Sequence, residues 1–69
     1  MEKILDINNF NGNRRSEVWQ NGSGWRVLFF ENEKVVHSLD INEGLRKAET
    51  LAEEFAYGRG NPQFLVENI

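Results

Sequence analysis

Ser16-Glu17-Val18-Trp19-Gln20, Asn21-Gly22-Ser23-Gly24, Trp25-Arg26-Val27-Leu28-Phe29-Phe30: this stretch decides the fold. Two runs dense in β-branched and aromatic residues flank a short segment rich in Asn and Gly. Asn-Gly between such runs is a strong short-range hairpin signal, because both residues tolerate positive φ. Glu31-Asn32-Glu33 supplies a second polar turn, and Lys34 to Asp40, with Val35, Val36 and Leu39, reads as the next strand.

Downstream the period changes. Leu45, Ala48, Leu51, Ala52, Phe55 and Ala56 recur three and four apart, which makes one apolar stripe on a helix. Arg46, Lys47, Glu49, Glu53 and Glu54 occupy its other face. Asp40 or Asn42 is placed to cap the helix, with Glu43 completing a capping box after Asp40. Gly58 suits the left-handed position past the last turn, and Pro62 follows. Upstream, residues 1–14 carry Ile4, Leu5, Ile7 and Phe10, either as a short strand or as an extended arm laid on the core. Residues 63–69 read as a tail strand. The expected fold is α+β: a three- to four-stranded antiparallel meander over residues 15–41, packed on one face by a helix over residues 42–58.

Length and composition bound the rest. Sixty-nine residues make one domain. Cysteine is absent, which excludes disulfides and thiolate chemistry, and His37 alone cannot build a multi-histidine zinc site. We expect no metal and no cofactor. Stability must come from the core, for which five Phe and two Trp supply large buried areas. Eleven acidic and eight basic residues give a net charge of -3, which disfavours a strong grip on a phosphate backbone. No apolar run reaches the roughly 20 residues of a membrane span, and charge near the N-terminus replaces the apolar stretch of a signal peptide. A soluble, cytoplasmic domain is expected.

No catalytic constellation assembles. Ser38 and Asp40 point away from His37 by strand alternation, so neither a nucleophile nor an orienting acid stands beside it. Glu49, Glu53 and Glu54 lie on a solvated helix face rather than across a cleft. Gly22-x-Gly24 leads into a strand and Gly58-x-Gly60 follows a helix C-terminus, and a phosphate cradle suits neither. Asp6 to Gly12 holds one acid only, too few for a calcium loop. An enzyme is not expected.

On the middle strand, Trp25, Val27 and Phe29 share one side and Arg26, Leu28 and Phe30 the other. The first set is assigned to the helix, with Leu39 opposite; a one-residue change in hairpin register would swap the partners. That leaves Leu28 and Phe30 on a face that the N-terminal arm, a second copy of the chain or a partner must cover. The reading that follows is a non-enzymatic protein-interaction module that docks by its sheet face or by edge pairing. Trp19, Arg26, Leu28 and Phe30 are its candidate contact residues, and its partner is another protein or a second copy.

Gly24-Trp25-Arg26-Val27, the turn Glu31-Asn32-Glu33-Lys34 and the helix with Ala48 and Ala52 resemble, over Ser16 to Tyr57, two DNA-binding families. These are the arm-type domains of tyrosine recombinases and the plant ethylene-response domains. The resemblance implies a sheet face entering the major groove, with Arg14, Arg15 and Arg26 as the nucleic-acid contacts and Trp19 nearby. This chain departs from that pattern by placing Glu17, Glu31, Glu33 and Asp40 on the strands and turns. Nucleic-acid binding is the alternative reading.

Overall fold

The computed structural model describes residues 1–9 and 12–58. In chain order the elements are β1 (Glu2–Asn8), β2 (Arg14–Asn21), β3 (Gly24–Glu31), β4 (Lys34–Ile41) and α1 (Leu45–Ala56). The four strands form one antiparallel meander in the order β1-β2-β3-β4, and α1 packs across one face. The α+β architecture expected from the hydrophobic periods is the one observed. The fourth strand is β1, so Glu2–Asn8 forms an edge strand and does not wrap the sheet. Phe10 and the expected tail strand, residues 63–69, lie outside the described residues.

Two local expectations need correction. The hairpin between β2 and β3 turns on Gly22 and Ser23, with Gly22 at φ +64°, while Asn21 is still paired to Gly24. The next hairpin turns on Asn32 and Glu33, both left-handed at φ 54° and 64°, the combination that suits the twist of paired strands. Helix α1 is shorter than expected. It begins at Gly44, which offers no side-chain cap, so neither Asp40 nor Asn42 fills that role. Both are engaged elsewhere: Asp40 accepts from Arg26, and the Asn42 Oδ1 lies against Gly24, where it would sit 2.9 Å from an added Cβ. The helix stop is as expected, with Gly58 at φ +76° donating to the Phe55 carbonyl.

Strand register decides the core. Val27 pairs with Val18 on one side and Leu39 on the other, and Phe29 sits between Ser16 and His37. Val18, Val27, Phe29, Ile41, Ala48, Leu51, Ala52 and Phe55 form the buried cluster, flanked by Leu5, Ile7, Trp25, Leu39 and Leu45. The alanines let α1 approach the sheet closely, and Phe55 meets Phe29 edge-on at 5.1 Å between ring centroids. Ser16 is fully buried in this layer, and its hydroxyl donates to the Ala52 carbonyl at 2.9 Å, which ties β2 to the helix. Trp25, Val27 and Phe29 therefore do face the helix. Among the described residues, no helix is long and apolar enough to cross a membrane.

Candidate docking face of the sheet

The face opposite α1 is a grid fixed by the pairings. One row across it reads Lys3, Trp19, Arg26, Asp40; the next Asp6, Glu17, Leu28, Ser38; the third Asn8, Arg15, Phe30, Val35. Trp19, Leu28 and Phe30 are half-buried there, and no element among the described residues lies over them. At the Phe30 corner Val35 is 53% exposed and the adjacent Val36 47% exposed.

The charged side chains of this face pair with one another. Arg15 is the centre of the network. It donates to Glu17 at 2.6 Å and to Glu33 at 3.0 and 3.1 Å, while its guanidinium lies 3.8 Å from the centroid of the Phe30 ring. Glu17 also accepts from the Trp19 indole at 2.8 Å and faces Lys3 at 3.8 Å. Burial pushes the Glu17 carboxyl up. Its hydrogen bonds from Arg15 and Trp19, and the charges of Lys3 and Arg15, outweigh that cost and hold it below the ordinary carboxylate value. Lys3 bridges to Asp6 at 3.2 Å, and Arg26 to Asp40 at 2.9 Å. The Arg26 hydrogen bond is the main cause holding Asp40 below its usual value.

The three arginines of the nucleic-acid reading do not share a surface. Arg15 and Arg26 lie on the open face. Arg14 lies on the helix side, paired with Glu31 at 3.0 Å and stacked over the Phe55 ring at 4.6 Å. The candidate contact residues Trp19, Arg26, Leu28 and Phe30 are brought together on the open face. Sequence reasoning missed two residues of the same surface, Lys3 and Val35, because their position depends on register shifts.

Those shifts alter both edges of the sheet. Ile4 is an extra residue between Lys3 and Leu5 in β1, and Val36 is an extra residue between the partners of Phe29 and Phe30 in β4. A bulge with a lysine beside it, Lys3 in one strand and Lys34 in the other, is a device that blunts strand addition at an edge.

No group of three or more potential metal ligands occurs among the described residues. The His37 ring stacks on Phe29 at 6.0 Å, and its buried Nε2 makes no hydrogen bond among the described residues. The chain matches no protein-family model, no curated protein and no solved structure.

Proposed function

We propose that this protein is a non-enzymatic interaction module whose docking surface is the sheet face opposite α1. The observation that carries the reading is the set of apolar side chains on the open face. Trp19, Leu28 and Phe30 run across the centre of a sheet face that no described element covers, and exposed Val35 extends the set to one edge. Aromatic and aliphatic anchors surrounded by polar side chains are the usual make-up of an interface centre. Bulges in both edge strands favour face docking over edge pairing. The absence of cysteine agrees with work in the cytoplasm.

The test is the pair Leu28→Asp and Phe30→Asp in one chain. The expected outcome is a folded protein that has lost self-association and partner capture. A folded double variant that associates like wild type would overturn the proposal.

Nucleic-acid binding is the second reading, supported by Arg15 and Arg26 sharing a face with Trp19. Both arginines are already paired with carboxylates, and the chain carries a net charge of -3, which weakens an attraction to phosphate. Titration with labelled duplex and single-stranded oligonucleotides at two salt concentrations separates the readings. Affinity that falls steeply with salt would favour nucleic acid.

A further inference from the structure

The row Lys3, Trp19, Arg26, Asp40 has a property beyond being exposed: read from either edge, it complements itself. Place a second sheet face to face with the first, related by a two-fold axis running along the strands between β2 and β3. The axis exchanges β1 with β4 and β2 with β3. Lys3 of each chain then faces Asp40 of the other, and Trp19 of each faces Arg26 of the other. The row thus gains two opposite-charge pairs and two cation–π contacts. In the third row Arg15 faces Phe30 of the other copy, a repeat of the contact it already makes within its own chain. In the middle row Asp6 meets Ser38, and Glu17 meets Leu28. Glu17 does not protrude there, since it is 8% exposed beneath its bonds to Arg15 and Trp19. An axis perpendicular to the strands does worse, because it sets the exposed Asp6 against Asp6 and Val35 against Asp40.

We infer that the occupant of this face is a second copy of the chain, in an isologous sheet-on-sheet dimer. The inference rests on the docking-face reading above and names its partner. Lys3 and Asp40 have room for a second partner, since their side chains remain 41% and 61% exposed within their intrachain pairs. The size of the face sets the strength. Four strands about 4.8 Å apart, each contributing about five residues, bury on the order of 600 Å² between two copies. That is below the roughly 1,200 Å² at which stable specific interfaces begin. The dimer is therefore weak, reversible and formed at high local concentration.

The experiment is sedimentation velocity on the full chain from about 10 μM to about 1 mM, a range that spans weak association, with Lys3→Asp and Asp40→Lys as probes. Each variant alone sets like charges against each other twice in a homodimer, and its association weakens about tenfold or more. An equimolar mixture of the two restores both opposite-charge pairs in a heterodimer, and sedimentation of the mixture recovers toward wild type. Far-UV circular dichroism confirms that each variant is folded. Wild type that stays monomeric throughout would overturn the inference. So would single variants that associate as wild type does, or a mixture that does not recover. If wild type is monomeric but a protein is captured by wild type and lost with Leu28→Asp/Phe30→Asp, the second-copy inference fails and the docking face stands. If neither association nor capture occurs, both fail.

Discussion

The Arg15 guanidinium sits over Phe30, 3.8 Å from the ring centroid, while it also binds Glu17 on its own strand and Glu33 in the β3–β4 turn. One side chain thus shields an aromatic ring on the open face and neutralises a nearly buried carboxylate. Its aliphatic stem adds apolar cover that a short side chain cannot. Replacing Arg15 with Ala removes all of this and leaves Glu17 with a weaker, more distant cation in Lys3. We predict a loss of about 1–3 kcal/mol in urea unfolding, with Arg15→Lys recovering part of it.

Acid sensitivity follows from the same carboxylate. Glu17 titrates below its ordinary value in the folded protein, so it binds protons more readily when unfolded. Its stabilising contribution is therefore complete above the unfolded value of about 4.3 and is lost as pH falls through the depressed folded one. Asp40, held low first by its hydrogen bond from Arg26, acts in the same direction. Urea midpoints measured between pH 3 and 7 should fall on the acid side, and Glu17→Gln should flatten that fall. A midpoint that rises on acidification would contradict the assignment.

The Ser16 hydroxyl is the polar tie between β2 and α1, fully buried and bonded to the Ala52 carbonyl. Ser16→Ala keeps the volume nearly unchanged and removes the bond. We expect a loss of about 1 kcal/mol, read as a melting temperature lower by about 4–8 °C for a domain of this size.

Phe29 tests the core. It is fully buried between Phe55, His37 and the sheet, so Phe29→Ala should cost about 3–5 kcal/mol. The whole stability of 69 residues is roughly 3–10 kcal/mol, and the variant should be largely unfolded by circular dichroism at 25 °C. Phe29→Leu should remain folded.

Gly24 is required by close approach rather than by a positive φ. A Cβ there would meet the Ile41 carbonyl oxygen at 2.8 Å and the Asn42 Oδ1 at 2.9 Å, and the backbone oxygen cannot swing aside. Gly24→Ala should destabilise by about 1–3 kcal/mol. Gly44→Ala, where nothing lies within 4 Å, should cost far less by the same thermal melt.

The fold was legible wherever a single element carries its own period. Alternation in β3 grouped Trp25, Val27 and Phe29 on one side, which packing against α1 then marks as the helix side, and the three-four spacing from Leu45 to Ala56 located α1. Legibility ended where one segment's position depends on another. The extra residues Ile4 and Val36 exist only relative to partner strands, and periodicity in one strand cannot reveal them. The helix start was misplaced for a similar reason, since Asp40 and Asn42 are drawn away by Arg26 and by the close approach to Gly24. The candidate site was half legible. Alternation alone grouped Arg26, Leu28 and Phe30 on one side of β3, while Trp19 joins them through its pairing with Arg26. The ion pairs that quiet Arg15 and Arg26, and the placement of Arg14 on the opposite face, required the register.

The two tryptophans lie on opposite faces, Trp19 on the open one and Trp25 on the helix side, so each reports on its own surface. Trp25→Phe leaves Trp19 as the only indole, and Trp19→Phe leaves Trp25. Acrylamide quenching of both variants across a concentration series measures which face becomes covered. Protection of Trp19 that grows with concentration, with Trp25 unchanged, is the predicted result. Protection confined to Trp25, with Trp19 equally quenched at every concentration, would contradict the claim that the open sheet face is where this protein docks.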